Sequence, residues 1–220
     1  MNLRILFVDE LKGFYKSKVM LILWFGMPFL TLLLHFLNPD LEELPVSFLV
    51  ALLISSIGGT LSAALLSTSI ANEKSHHVYD LFLIKPVPRY SILLAKYFAV
   101  YLCLIIATGI SLITGLIIDT YTSGSLPEYI IQNTLDSLSV SLAAMSISCS
   151  IGIFFGILVS SVPVAVILSV YIGNQVSAVS ILATIFIDFI NPSMFAVIIG
   201  VSITVLFIGI SIIVFNRKQF

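Results

Sequence analysis

Six long apolar runs make up most of this chain, and its charged residues fall in or beside the breaks between them. The runs cover residues 18–37, 45–70, 91–118, 137–159, 163–187 and 194–215. Each is near or above the roughly 20 residues that a helix needs to cross a bilayer core. Lipid offers the backbone no hydrogen-bonding partners, so runs of this kind satisfy their own amides as helices. Hydrophobic residues are 59% of the sequence and charged residues 10%, too little charge to coat a water-soluble domain of 220 residues. The expected fold is an all-α membrane protein with six transmembrane helices, in one transmembrane domain over residues 1–220. No length remains for a separate soluble catalytic domain.

The ten basic side chains sort to one side of these runs. Arg4, Lys12, Lys16 and Lys18 precede or open the first; Lys74, Lys85, Arg89 and Lys96 surround the break between the second and third; Arg217 and Lys218 follow the last. The alternate breaks hold acids: Asp40, Glu42 and Glu43, then Asp119 and Glu128, then Asp188. Short loops rich in Lys and Arg stay cytoplasmic, so the sequence predicts a multi-pass protein of the cell membrane with both termini cytoplasmic. Lys96, within two turns of a span end, is expected to snorkel to the headgroups. The net charge of −1 carries no nucleic-acid signal, because the basic residues flank membrane segments. Asp9, Glu10 and four bases before Val19 argue against a cleaved signal peptide. Cys103 and Cys149 lie inside apolar spans and read as small core residues.

Two shorter stretches read as amphipathic helices. In residues 1–18, Leu3, Leu6, Phe7, Leu11 and Phe14 recur at helical spacing, which predicts a helix lying at the membrane surface. Between the second and third spans, residues 71–89 form the one dense polar constellation. There Glu73, His77 and Asp80 fall near one helical stripe and Val78, Leu81 and Phe82 on another, with Pro86 and Pro88 ending the helix. Ser91, after Pro88-Arg89, is the expected N-cap of the third span.

Catalytic chemistry is poorly provided for. The spans hold almost no ionisable residues, which disfavours proton-coupled transport. No deep histidine accompanies the many serines, so intramembrane serine hydrolysis lacks its base. His76 and His77 are adjacent and would point about 100° apart on a helix, a poor chelate for a metal. No Gly-rich phosphate loop is present. The chain is therefore read as neither an enzyme nor a metal or cofactor protein.

Small residues share faces on two spans: Ser55, Gly59, Ser62 and Ser69 on the second, and Ser141, Ser148, Gly152 and Gly156 on the fourth. Such faces let helix backbones approach closely, either within one subunit or across a dimer seam. Tyr171, Gly173, Asn174 and Gln175 fall near the middle of the fifth span, where polar amides need partners or water.

The segment after the second span resembles the signature of the ABC type-2 exporter permeases. In that signature a charged stretch leads through Gly-Thr-Leu-Glu, two leucines, a proline and a basic turn into a Leu-Leu-x-Lys start of the third span. Here Glu73-Lys74 matches the charged opening, Asp80 the acid, Leu81-Phe82 the apolar pair, Pro86-Val87-Pro88-Arg89 the turn, and Ile92-Leu93-Leu94-Ala95-Lys96 the span start. His77 and Val78 stand where the family has Gly and Thr, and Ser75 replaces the second acid. The resemblance implies an N-terminal amphipathic elbow helix and a cytoplasmic coupling helix seated on a separate ABC ATPase subunit. It names Glu73, Lys74, His77, Asp80, Leu81, Phe82, Pro86 and Arg89 as the ATPase-coupling residues. ATP and Mg would be bound by that ATPase, and a second permease subunit, the same chain or a paralogue, would complete the pore within membrane lipid. By the same resemblance the second and fifth spans face the dimer axis, making Tyr171, Asn174, Gln175, Ser55 and Ser62 the candidate translocation path. A different class of reading is a membrane scaffold or immunity protein whose cytoplasmic helix binds a partner that is not an ATPase.

Overall fold

A computed structural model describes residues 3–16, 18–37, 46–76, 88–123, 128–186 and 192–217, without the side chains of 18–19, 34–35, 37, 46–55, 89, 122–123, 128–130, 133, 180–186 and 192. These residues form the helices α1 (Leu3–Tyr15), α2 (Lys18–Leu37), α3 (Val46–Ser75), α4 (Arg89–Ser123), α5 (Glu128–Leu158), α6 (Val162–Phe186) and α7 (Pro192–Arg217). No strand occurs among the described residues. Within them, Tyr90–Tyr121, Thr134–Leu158, Val162–Val179 and Ser193–Arg217 are each long and apolar enough to cross a membrane. The protein is thus an all-helical membrane architecture with at least these four candidate spans. A further candidate span arises if α1 and the Met20–Leu33 part of α2, which meet at a 62° bend, are taken together.

The bundle is organised around α5, the most buried of the candidate spans, which packs against α3, α4, α6 and α7. The first two helices lean on α4 from the other side. One core joins α1 to α5 through Leu6, Met20, Leu66, Ile70, Leu93 and Met145, among others. A second core sits between α5, α6 and α7 around Ile147, Ile151 and Phe155.

Small residues set how closely α3 and α5 approach. A Cβ built on Gly152 would stand 2.8 Å from the Ala63 carbonyl oxygen and 3.0 Å from the Ala63 Cα. At Gly156 it would meet Ile70 at 3.0 Å and the Ser67 Cα at 3.2 Å. In lipid such close packing, with hydrogen bonds between helices, replaces the hydrophobic effect as the force holding spans together. The Gly152 and Gly156 pair therefore serves packing inside one chain. For Gly152 and Gly156 the packing described is within one chain.

The N-terminal stretch forms the helix α1, and four of the five residues of its expected apolar stripe face the core, Leu3 remaining exposed. Leu6 is buried, and Phe7, Leu11 and Phe14 pack on the same core. Two local expectations change. Arg89 opens α4, and Ser91 lies inside its first turn with its N–H donating to the Pro88 carbonyl at 3.0 Å, so Ser91 is not the N-cap. Nor does Lys96 snorkel outward: it is 2% exposed. Its neighbours on the same stripe of α4, Ile92, Leu93, Ala99 and Val100, are buried too, so outward extension would need α4 to rotate against its own core.

Candidate functional site

Three helices bring charge together at the end of the bundle where α3 stops and α4 starts. Lys96, about two turns into α4, lies 2.6 Å from Glu73 Oε1 on α3 and 2.8 Å from Glu10 Oε1 on α1. Its ammonium also donates to Ser69 Oγ at 3.3 Å, and Ser69 in turn donates to Glu73 Oε1 at 3.3 Å. The spacing from Ser69 to Glu73 is one helical turn, so both side chains face the same way from α3. A buried ammonium is costly unless paired and hydrogen-bonded, and this one has two carboxylates and a hydroxyl. Burial pushes the Glu10 carboxyl above its ordinary value of 4.5, while Lys96 pulls in the opposite direction. Glu73 Oε2, on the far side of its carboxylate, is buried without a hydrogen-bond partner.

Next along α3, Lys74 turns the other way. Its ammonium donates to the carbonyls of Ile157 at 3.2 Å and Val159 at 3.3 Å and lies 3.4 Å from Ser160 Oγ. These carbonyls lie at and just past the C-terminal end of α5, which lacks intrahelical donors and carries the negative end of the helix dipole. Consecutive residues at the end of α3 thus fasten it to α1 and α4 through Glu73, and to α5 through Lys74. Four helices are tied at the point where the chain leaves for residues 77–87.

Of the eight residues assigned to coupling, Glu73 and Lys74 are brought into this junction. His77, Asp80, Leu81, Phe82 and Pro86 lie outside the described residues, and Arg89 opens α4 with its side chain likewise outside them. The residues assigned to a path fall in different surroundings. Tyr171, Asn174 and Gln175 share one face of α6 and, with Val166, Ile167 and Val170, line an open groove of about 420 Å³. Tyr171 is 65% exposed there. Ser62 is instead fully buried, its hydroxyl bonded to the Gly59 carbonyl at 2.8 Å. Ser55 belongs to α3, with its side chain outside the described residues.

Hydroxyls also join the helices at mid-bundle. Tyr97 Oη is 2.8 Å from Ser146 Oγ, which is 2.7 Å from Thr204 Oγ1, so α4, α5 and α7 are linked in one chain of bonds. Ser169 on α6 reaches Ser67 at 2.9 Å on α3. Such links stabilise helix contacts where water is scarce.

The pairing of Glu10 and Glu73 with Lys96 escaped the sequence reading, although a signal was present. Glu10 is four positions from Leu6, three from Phe7 and four from Phe14, so it sits on the stripe of α1 that packs inward. A partly buried carboxylate at that position is stabilised by a nearby cation. Lys96 occupies the equivalent inward stripe of α4.

No protein-family model matches the chain, and a search of the curated proteins finds no relative.

Proposed function

We propose that this chain is the membrane-spanning permease subunit of an ATP-driven exporter of the ABC type-2 plan. In this reading α2 and α3 also cross the bilayer, giving six spans with both termini in the cytoplasm, and α1 is the elbow helix lying at the cytoplasmic surface. Residues 73–89 form the coupling element. A separate ATPase binds ATP and Mg, and a second permease subunit supplies the other half of the path, with the exposed Tyr171, Asn174 and Gln175 face of α6 lining it. The polar, chargeless character of that face suits amphiphilic or apolar cargo better than a bare ion.

The observation that carries this reading is the junction at the root of the coupling segment. A docking element transmits force only if its base is rigidly joined to the spans. Glu73 and Lys74 join that base to α1, α4 and α5 through partly buried, charge-assisted bonds. A loop helix resting idly on headgroups would have no need of such an anchorage.

The test is purification of the tagged chain from its native membranes in mild detergent. The proposal expects a second subunit carrying nucleotide-binding sequence motifs, together with Mg-dependent ATP hydrolysis. A chain that purifies intact, without an ATP-binding subunit and without hydrolysis, contradicts it.

A further inference from the structure

Between α1, α2 and α4 lies a half-enclosed cavity of about 210 Å³ that none of the foregoing uses. Its wall is apolar: Leu11 and Tyr15 from α1, Trp24 from α2, and Cys103 and Ile106 from α4. Lys12 on α1 and Lys16 just past its end, one turn apart, border it with the apolar stems of their side chains, and both residues are exposed. Trp24 is held in place by its indole N–H, which donates to the Cys103 carbonyl at 3.2 Å, and its ring meets Tyr15 edge to face at 5.8 Å. Ile106 and Tyr15 stay exposed at the margin.

We propose that this cavity is a binding site for an anionic phospholipid, with an acyl chain against Trp24, Cys103 and Ile106 and the phosphate on Lys12 and Lys16. The chemistry at the two parts of the site differs in the way a lipid's does. The apolar wall has no polar group to satisfy, so it favours hydrocarbon. The two exposed lysines, four positions apart with their stems along the cavity, can extend their ammonium groups to a headgroup phosphate at its mouth. Tyr15 and Trp24 are residue types that favour the membrane–water boundary, where the chain would pass from one environment to the other. Basic loops locate this end of the bundle at the cytoplasmic leaflet, which carries anionic lipid. The lipid would wedge the elbow helix against α2 and α4, and it stands whether or not the chain works with an ATPase.

Trp24 is the single tryptophan of the chain, so the fluorescence comes from one wall of this cavity. The protein is reconstituted in phosphatidylcholine vesicles containing equal mole fractions of acyl-brominated phosphatidylglycerol or acyl-brominated phosphatidylcholine. The proposal predicts stronger quenching of Trp24 by the anionic lipid, with a preference on the order of tenfold in apparent affinity. Unbrominated phosphatidylglycerol should reverse the excess in the unaltered protein. A Lys12→Gln, Lys16→Gln double variant should lose the excess while keeping the quenching by phosphatidylcholine. Ile106→Phe, which narrows the cavity without changing charge, should also reduce it. Equal quenching by the two lipids overturns the proposal, as does an excess that survives competition or the lysine substitutions. An excess untouched by Ile106→Phe overturns it too, because the lipid would then be held by surface charge and not by the cavity. If the double variant fails to fold, competition in the unaltered protein decides.

Discussion

Glu10 of the first helix and Lys96 of the fourth meet at 2.8 Å, with Lys96 all but removed from solvent. This contact fixes an amphipathic helix, which could otherwise float at the membrane surface, to the first turns of α4. Glu73 shares the same ammonium at 2.6 Å, so the ending of α3 is held in the same grip.

Removing the cation should therefore damage the fold more than removing either acid. Lys96→Met leaves two carboxylates facing each other with no counter-ion, and breaking a buried pair in this way costs roughly 3–5 kcal/mol. About a quarter of each carboxylate side chain still reaches solvent, at 24% for Glu10 and 26% for Glu73, which puts the expected loss near the lower end. The triple variant Lys96→Met, Glu10→Gln, Glu73→Gln should recover much of it, since a neutral replacement of the whole cluster removes the unpaired charges. Thermal unfolding in detergent, followed by size-exclusion chromatography, measures both. Equal melting of the wild type and Lys96→Met would show that the cluster contributes little.

A pH dependence follows from Glu10. Burial raises its folded-state pKa above 4.5, so in that window the folded protein holds a proton that the unfolded chain has released. Raising pH opposes proton uptake; the contribution to stability is therefore full below about 4.5 and is lost as pH rises through the folded value. Between these limits the wild type should lose melting temperature more steeply with rising pH than Glu10→Gln does. Parallel curves for the two proteins over that range would contradict the assignment.

The close approach of α3 and α5 predicts opposite effects of the same substitution at two glycines. Gly152→Ala drives a methyl group toward the backbone of Ala63, which cannot move aside as a flexible side chain would. Overpacking of this kind typically costs about 1–3 kcal/mol. Gly109 has no atom within 4 Å of its Cβ position, so Gly109→Ala should be neutral or stabilise by up to about 1 kcal/mol through helix propensity. Melting temperatures of the two variants check this; a Gly152→Ala protein as stable as the wild type would mean that the helices are further apart than described.

Orientation is open to direct labelling. Cysteines introduced at Glu42, Gly124 and Asp188 should react with an impermeant thiol reagent applied to intact cells, while one at Ser75 should not. The background is low, because Cys103 and Cys149 are both buried. Labelling of the Ser75 position from outside would reverse the topology.

Much of the helical layout was legible because a long apolar run in lipid has one stable form. The small-residue faces were legible as faces, but their partner was not: the spacing of Gly152 and Gly156 says that a backbone approaches, and only the fold says that it is Ala63 to Ile70 of the same chain. Lys96 shows why the charged junction was missed. Proximity to a span end suggested snorkelling, and the inward stripe formed by Ile92, Leu93, Ala99 and Val100 pointed the other way. Its partners come from distant parts of the chain, and no local pattern links Glu10 to Lys96. Lys74 was read as part of a docking segment; that it caps α5 depends on where α5 ends in space.

The central claim is that residues 73–89 couple this chain to an ATPase, and truncation of the apolar pair tests it most directly. Binding energy concentrates in buried apolar anchors at the middle of a contact, whereas charges at its rim act more on association rate. The chain is purified from native membranes as the wild type and as Leu81→Ala, Phe82→Ala, with equal insertion verified, and Mg-dependent ATP hydrolysis is measured per mole of permease. The account predicts that the wild type carries the activity and that the variant loses it by about tenfold or more, corresponding to at least about 1.4 kcal/mol of lost association. Full retention of the ATPase by the double variant, or a wild type that brings none, would contradict it.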